Sequence, residues 1–296
     1  MMKLPNPGLR SALIKKAITI TPQTSILDAI EVIQKYRIGR LVVIDRTFSP
    51  IAIITDKDIM RSLWPLNNKT LDSLRVQDLM SKNLITAQKS DSIYNCAQIM
   101  KQNNISSLVI LRDDKSMEGI VTKTDLVFNF LIQQSEKYKI SQIMTDKVIT
   151  VSTGDSLFIV ESILINNKIS RVPVMRNQNL VGIITYRDFI PARIPNRLGA
   201  FTDTSELRDV WYSNIPSQFN VNQLNYTLTF RAEDIMSKNP VTVEPTDDVS
   251  LAALIMYRYG ISGIPVLKSG KLVGLVTKSD IVSALAKEAN FDSQHS

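Results

Sequence analysis

Apolar and polar positions recur along the chain in one order, which predicts a repeated unit of a short strand, a helix, two strands and a second helix. The last strand and helix meet at a corner that occurs four times: PIAIITDKDIM at 50–60, MEGIVTKTDLV at 117–127, LVGIITYRDFI at 180–190 and LVGLVTKSDIV at 272–282. In each copy an apolar run stops at Thr, and Asp follows three residues later. We therefore expect the function to lie where these corners meet.

The first helix of each unit is predicted from apolar residues spaced three and four apart, which places them on one buried face. They are Ile26, Leu27, Ile30 and Ile33; Ile93, Cys96, Ala97 and Met100; Leu157, Val160, Ile163 and Leu164; and Val249, Ala252, Ala253 and Met256. Cys96 is the single cysteine, which excludes an internal disulfide, and its position predicts plain core packing.

Strands are predicted on both sides of each of these helices. Short strands precede the helices at 18–22, 84–87, 148–152 and 241–245, and apolar strands follow them at 39–44, 106–111, 170–175 and 262–267. Such continuously apolar strands are buried on both faces, so helices are expected to cover the sheets. The predicted fold class is α/β, or α+β, built from four β-α-β-β-α repeats of about 60 residues.

The corner aspartates are unequally spaced, which divides the chain. Steps of 67 and 63 residues, from Asp58 to Asp125 and on to Asp188, are followed by one of 92 to Asp280. The predicted domains are repeat 1 at 1–65, repeat 2 at 76–136, repeat 3 at 140–190, an insertion at 191–230 and repeat 4 at 231–290. Loops as long as this insertion are usually functional or disordered. Its aromatic residues argue against disorder, and 205–213 is predicted to form a short helix.

Composition narrows the function classes. The only histidine is His295, so histidine-based acid–base catalysis, Ser–His or Cys–His nucleophiles and histidine metal clusters are excluded. No apolar run approaches the roughly 18 to 20 residues of a membrane span, and no secretory signal is recognisable, so a cytoplasmic protein is expected. The net charge of +7 and pI of about 9.4 favour an anionic partner. Nucleic acid and a phosphate-bearing small molecule both fit.

These features resemble the cystathionine-β-synthase (CBS) domain, which occurs in pairs called Bateman modules. The resemblance covers roughly 16–290 apart from the insertion, and it is carried by the G-h-h-T-x-x-D corner (h, apolar), the h-P-V strand before it and D-h-M-[ST] starts at 78–81, 143–145 and 234–237. It implies two Bateman modules stacked as a disk. It also implies paired repeats that bind adenosine-containing ligands, such as AMP, ADP, ATP, S-adenosylmethionine or NAD, and regulate a partner protein.

The resemblance implies nucleotide-binding residues by position. The corner Asp would accept hydrogen bonds from the ribose hydroxyls, the corner Thr would face phosphate at a helix start, and apolar residues of the first strand would flank adenine. The residues are Thr55, Asp58 and Arg40 in repeat 1; Thr122 and Asp125 in repeat 2; Thr185, Asp188, Arg171, Val148 and Ile149 in repeat 3; and Thr277, Asp280, Val241 and Thr242 in repeat 4.

Each of these features also has a purely structural interpretation. The Thr–Asp pair fits a helix capping box, although such boxes more usually carry Glu or Gln than the Asp found four times here. The glycines that precede three corners, Gly119, Gly182 and Gly274, fit either close packing or contact with a ligand. First-strand apolar residues are core by default.

The repeats differ in positive charge. Arg171, expected against phosphate together with Asp188 on ribose, ranks repeat 3 first and repeat 4 second. Repeat 2 lacks the arginine and the proline and is expected to be empty or to bind an uncharged adenosine. Lys57, Lys123, Arg187 and Lys278 lie inside the corners and could contribute.

The prediction is a non-catalytic, cytoplasmic sensor of an adenine nucleotide, without a metal or catalytic cofactor, that acts by population shift on a regulated protein, with homodimerisation left open. Two alternatives stay open: a nucleic-acid-binding regulator, and a ligand-free CBS scaffold. Arg193, Arg197, Arg208 and Trp211 of the insertion are the first candidates for a partner surface, and a structural lid is the other interpretation of the insertion.

Overall fold

The computed structural model describes residue 9 and residues 13–62, 74–133, 137–193 and 230–293. In repeat 1 the elements are β1 Thr19–Ile20, α1 Ile26–Lys35, β2 Arg40–Ile44, β3 Pro50–Thr55 and α2 Asp56–Ser62. After α3 Val76–Leu79, those of repeat 2 are β4 Thr86–Gln88, α4 Ile93–Gln102, β5 Ser107–Leu111, β6 Met117–Thr122 and α5 Lys123–Gln133.

Repeats 3 and 4 have the same order. After a 3₁₀ turn at Ile140–Gln142, repeat 3 has β7 Val151–Ser152, α6 Leu157–Asn166, β8 Arg171–Arg176, β9 Asn179–Thr185 and α7 Tyr186–Arg193. Repeat 4 begins with α8 Ala232–Ile235 and β10 Ser237–Lys238. It continues with α9 Val249–Arg258, β11 Gly263–Lys268, β12 Lys271–Thr277 and α10 Lys278–Ser293. This mixed α and β architecture confirms the predicted fold class.

The first helix of each repeat begins at a side-chain cap and buries the predicted stripe. Ser25, Ser92, Ser156 and Asp248 accept hydrogen bonds from backbone N–H groups two or three residues further on. The predicted stripe residues are all buried, except that Ile163 is half-buried. Cys96 is buried as predicted, and burial raises the pKa of its thiol to about 12.

Each sheet begins with a parallel pair and ends with an antiparallel one. In repeat 1, for example, β1 pairs with β2 in parallel and β2 pairs with β3 antiparallel. The first strands are shorter than predicted, and in repeat 4 the strand predicted at 241–245 is reduced to one parallel bridge, between Val243 and Val266. Pro240 and Pro245 flank this bridge, and proline has no N–H to donate to a ladder.

The expected helices cover one face of the sheets of repeats 1 and 2, and the other face is covered by a neighbouring sheet. Their sheets pack on each other through Val42 of β2, Val109 of β5 and Ile120 of β6, with Ala17 beside them. In repeats 3 and 4, β9 contacts β12. The apolar strands are therefore buried between a layer of helices and the sheet of the neighbouring repeat.

Helices complete a closed ring of four repeats. Repeats 1 and 3 share one hydrophobic core, with α2 packed on α7. Repeats 2 and 4 share a second core, in which α4 and α5 contact α10 and α5 also contacts α9. With sheets joining repeat 1 to 2 and repeat 3 to 4, the disk closes within one chain.

Four short segments lie along the sheets at equivalent places, and we call them the edge segments: 14–15, 80–81, 144–145 and 236–237. Their second residues form antiparallel bridges to the last strand of a repeat, namely Lys15 to Ile120, Ser81 to Ile53, Thr145 to Leu275 and Ser237 to Ile183. The D-h-M-[ST] motifs, which the sequence places at the starts of repeats 2, 3 and 4, thus complete the sheets of repeats 1, 4 and 3.

The edge segments explain the corner glycines. A Cβ at Gly182 would clash with the side chain of Met236, and one at Gly274 would clash with Met144. At Gly119 the clash would be with the backbone carbonyl of Lys15. Of the two interpretations left open by the sequence, the structure supports close packing.

Candidate functional site

The four corners share one hydrogen-bonded geometry. In each, Oδ2 of the Asp accepts hydrogen bonds from the backbone N–H and the hydroxyl of the Thr three residues earlier. The N–H distances are 2.9, 2.8, 2.6 and 2.8 Å for Asp58, Asp125, Asp188 and Asp280. The capping interpretation of the Thr–Asp pair is therefore correct as far as this oxygen is concerned.

The other oxygen, Oδ1, distinguishes the repeats. Among the described residues, Oδ1 of Asp58, Asp188 and Asp280 accepts no hydrogen bond from another residue. In repeat 2, Oδ1 of Asp125 is 2.6 Å from the ammonium of Lys15. Three corners thus keep an acceptor for a ligand, and the fourth is engaged by the chain itself.

The two arginines predicted to bind phosphate reach across the sheet interfaces. Arg171 pairs with Thr185 in the strand register, but its guanidinium donates to Ser262 Oγ of repeat 4 at 2.8 Å. Gly263 makes room for it, since a side chain there would clash with the guanidinium. Arg40 pairs with Thr55 and donates to the carbonyl oxygen of Ser106 in repeat 2 at 2.5 Å.

This crossing changes the predicted partners. The charge of Arg171 acts on Asp280 of repeat 4, whereas the sequence analysis placed Arg171 in one site with Asp188 of repeat 3. Repeat 2, which has Ser107 at the arginine position, receives Arg40 from repeat 1. Arg171 is also incompletely satisfied, because its buried Nε has no hydrogen-bond partner within the described part of the chain.

Six cations gather where the corners meet: Arg40, Lys57, Lys123, Arg171, Arg187 and Lys278. Lys123 donates to Ser279 Oγ and Lys278 to Thr124 Oγ1, both at 2.9 Å, which joins repeats 2 and 4. Arg187 forms a 2.9 Å ion pair with Asp56, which joins repeats 3 and 1. We call this group the central cation cluster.

The cluster is electrostatically strained. Burial lowers the pKa of Lys123 and of Lys278 to about 8, and neighbouring like charges add to the effect. Burial also lowers the pKa of Arg171 to about 10. An anion bound beside these side chains would stabilise their charged forms and oppose the effect of burial.

The pKa values of two corner carboxyl groups are raised, whereas those of the nearby lysines are lowered. Burial raises the pKa of Asp188 to about 6, against the lowering effect of the hydrogen bonds from Thr185. Burial also raises the pKa of Asp280, and the hydrogen bonds from Thr277 oppose it. Perturbed titration together with convergent polar groups is typical of a functional site.

The predicted adenine-flanking residues of repeat 3 precede its first strand. Ile149 comes two residues before β7, and β7 pairs in parallel with β8, which itself pairs with the strand that ends at the corner Thr185. Ile149 and its equivalent in repeat 4, Val241, are 38% and 41% exposed. Val148 is half-buried and Thr242 is exposed. In repeats 1 and 2 the equivalent residues, Ile18 and Ile85, pack against the cores, so only the second module presents open apolar positions here.

Sequence reasoning missed Lys15, Ser106 and Ser262, because contacts between repeats leave no local pattern. Of the residues predicted in the insertion, Arg197, Arg208, Trp211 and the helix at 205–213 lie outside the described residues, as does His295, and the Arg193 side chain is not described. Across the described ranges, no group of His, Cys, Asp or Glu residues could hold a metal ion. No helix there is long and apolar enough to cross a membrane.

Comparison with known proteins assigns the class. The CBS domain family matches residues 9–65, 76–131, 140–194 and 232–287. The chain therefore belongs to the CBS-domain family, with four such domains, which confirms the resemblance recognised in the sequence.

Several known proteins are similar to this chain. Protein MJ1225 of Methanocaldococcus jannaschii is 25% identical over 286 residues, which cover 92% of this chain and 96% of the relative. Its crystal structure matches with a TM-score of 0.76 at 23% identity and covers 92% of this chain and 97% of that one. A conserved protein of Pyrococcus horikoshii matches with a TM-score of 0.61 at 18% identity, over 93% and 98% of the two chains. A CBS-domain protein of Dictyostelium discoideum is 33% identical over 51% of this chain and 93% of its own length.

Proposed function

We propose that the protein is a non-catalytic regulator that binds a phosphate-bearing adenosine ligand at its corners, with AMP, ADP and ATP as the first candidates. One observation carries the proposal. Three corner carboxylates keep an uncommitted oxygen beside a cation cluster whose Arg171 Nε lacks a partner among the described residues. An adenine nucleotide fits this arrangement, since its ribose hydroxyls donate and its phosphates are anionic.

Repeat 4 is the first site on structural grounds. Arg171 of repeat 3 and Lys123 of repeat 2 both act on Asp280, and Val241 offers an exposed apolar surface. The sequence had ranked repeat 3 first, with Arg171 and Asp188 in one site. Because the guanidinium of Arg171 lies at repeat 4, we place the order at repeat 4 and then repeat 3, where Asp188 and Ile149 are available.

The cation cluster discriminates among adenosine ligands. A nucleotide brings two or more negative charges to it, whereas S-adenosylmethionine carries a positive sulfonium and no phosphate. NAD has a pyrophosphate and is the next candidate. Phosphate recognition by convergent Arg and Lys side chains is charge-assisted and strong.

The regulatory step follows from the number of repeats that one ligand touches. A phosphate group at repeat 4 would engage residues of repeats 2, 3 and 4 at once. A ligand that bridges repeats favours one placement of the two modules over others, and a partner protein can read that placement.

The test is isothermal titration of ligand-free protein with AMP, ADP, ATP, S-adenosylmethionine and NAD. We expect micromolar binding, about −8 kcal/mol, of at least one adenine nucleotide. Asp280→Ala should abolish binding at repeat 4. Asp78→Ala is the matched control, because Asp78 caps a backbone N–H (Arg75) at 2.8 Å in the same way but lies outside the corners.

The alternatives give different outcomes. Binding of single-stranded nucleic acid with a steep salt dependence, in the absence of nucleotide binding, would favour the nucleic-acid-binding regulator. No binding of any adenosine ligand would favour the CBS scaffold. Equal nucleotide affinity in Asp280→Ala, Asp188→Ala and the wild type would refute the site.

A further inference from the structure

Repeat 2 contains every polar component that the other corners have. Oδ2 of Asp125 accepts from the N–H and hydroxyl of Thr122 at 2.8 and 2.6 Å. An arginine reaches it from repeat 1, as Arg171 reaches repeat 4 from repeat 3. Lys278 lies at the same corner, donating to Thr124. Lack of positive charge, the reason for expecting this repeat to be empty, is therefore not its distinguishing feature.

The edge segment is what distinguishes repeat 2. The last strands of repeats 1, 4 and 3 are bridged by Ser81, Thr145 and Ser237, in that order. The last strand of repeat 2 is bridged by Lys15 instead. Lys15 exchanges two backbone hydrogen bonds with Ile120, of 3.0 and 2.9 Å, so its Cα is fixed beside the corner. A Ser or Thr side chain at this position places no charge beside the corner carboxylate, whereas the lysine places its ammonium there.

The lysine ammonium occupies the place that the proposed function gives to a ribose hydroxyl. It lies 2.6 Å from Oδ1 of Asp125, the oxygen that is uncommitted in the other corners. The Asp125 side chain is 3% exposed and the Lys15 side chain 58% exposed, so the carboxylate is the buried partner of this ion pair. A neutral hydroxyl donor replaces the ammonium poorly, because the buried carboxylate would lose its counter-charge.

We infer that Lys15 masks the nucleotide site of repeat 2, so that this site stays empty while the others fill, and that a single substitution opens it. The inference rests on the proposed function. Lys15 acts here as a specificity-determining residue: it decides which of four otherwise similar corners binds a ribose.

The experiment counts sites. The number of AMP molecules bound per chain at saturation is measured by equilibrium dialysis with radiolabelled AMP for the wild type, Lys15→Ser, Lys15→Ser/Asp125→Ala and Lys16→Ser. Lys15→Ser gives the edge segment on the sheet of repeat 2 the serine that Ser81 and Ser237 supply on the sheets of repeats 1 and 3. We expect it to bind one AMP more per chain than the wild type, and the double variant to return to the wild-type number. Lys16→Ser removes the neighbouring exposed lysine and should change nothing.

The outcomes separate this inference from the proposed function. Binding in the wild type with no additional site in Lys15→Ser overturns the inference alone. Binding only in Lys15→Ser supports the inference and overturns the proposed function for the natural chain. No binding in either overturns both. If Lys15→Ser does not fold, the second variant is Lys15→Thr, which introduces the residue that repeat 4 has at this position, Thr145.

Discussion

At the scale of single residues, one oxygen of each corner carboxylate holds a helix start, and the other pairs with Lys15 in repeat 2 and accepts no hydrogen bond from another described residue in the other three repeats. This division accounts for Asp in place of the Glu or Gln of an ordinary capping box. A short carboxylate can bond the Thr three residues earlier through one oxygen while the second stays beside the neighbouring cations. Capping and the proposed ligand binding therefore do not exclude each other, since they use different oxygens of one side chain.

Arg171→Met should weaken phosphate recognition and leave adenosine binding unchanged. The substitution keeps an apolar stem of similar length but removes the charge and the hydrogen bond to Ser262. A charge-assisted hydrogen bond is worth about 1.5 to 3 kcal/mol, so we expect AMP affinity to fall roughly 10- to 100-fold in titration calorimetry.

The matched control is Arg176→Met, on the same strand, where the guanidinium pairs with exposed Glu233. Its AMP affinity should equal that of the wild type. An equal loss of adenosine and AMP affinity in Arg171→Met would show that the arginine shapes the site without touching phosphate.

At the scale of elements, the edge segments join parts of the chain that are far apart in sequence. Residues 144–145, at the start of repeat 3, complete the sheet of repeat 4, and residues 236–237, at the start of repeat 4, complete that of repeat 3. The packing beneath them is not equivalent. Side chains of Met144 and Met236 cover Gly274 and Gly182, whereas the Lys15 backbone itself approaches Gly119.

Gly119→Ala should therefore destabilise the protein more than Gly274→Ala. A Cβ at Gly119 meets a backbone carbonyl, which can move only if the edge segment lifts from β6, and overpacking of this kind costs about 1 to 3 kcal/mol. At Gly274 the nearest obstacle is the thioether of Met144, a flexible side chain that can change rotamer, and the backbone oxygen of Thr145, at 3.2 Å, is farther away than that of Lys15 is at Gly119. Urea unfolding of the two variants measures the difference.

Gly154→Ala is the control for glycine removal itself, because no atom lies within 4 Å of its added Cβ. It should unfold at the wild-type urea concentration or slightly above. Equal stability of Gly119→Ala and Gly154→Ala would mean that the edge segment at Lys15 is not tightly bound.

The elements also show what the sequence could predict. The stripes of α1, α4, α6 and α9 and the Thr–Asp corners depend on residues a few positions apart, so periodicity and capping chemistry identify them. The exchange of edge segments, the sheet-to-sheet packing and the reach of Arg171 to Ser262 depend on residues tens of positions apart. Nothing in a local pattern records those contacts, so periodicity and capping chemistry could not indicate that the Arg171 guanidinium reaches repeat 4.

At the scale of the whole molecule, ring closure concentrates charge. Each repeat contributes one or two cations to the central cation cluster, and closing the ring of four repeats brings them to one place. Burial is the main cause of the lowered pKa values of Lys123 and Lys278, and the like charges gathered here lower them further. A bound phosphate would oppose both effects and raise both pKa values, so binding should take up protons.

Ligand affinity should consequently be greatest between about pH 6 and pH 8. Above pH 8 the two lysines, with pKa values of about 8, lose their charge, and affinity for ATP should fall by up to roughly tenfold per pH unit for each lysine that must be charged. Below pH 6 the carboxyl of Asp188, with a pKa of about 6, becomes protonated and no longer accepts strongly from ribose at repeat 3. Titrations with ATP from pH 5 to pH 9.5 measure both limbs.

The same two lysines should make the stability of the protein without ligand rise with pH, whereas they make the affinity for ATP fall. Their pKa is lower in the folded protein than the ordinary 10.5, so between pH 8 and pH 10.5 the unfolded chain binds more protons and their contribution to the free energy of unfolding rises with pH. Lys278→Met should remove the contribution of Lys278 to both pH dependences. The melting temperature should rise more at pH 7 than at pH 9.5, and the fall of ATP affinity above pH 8 should become less steep. A variant that changed neither pH profile would show that Lys278 carries no excess charge in the ring.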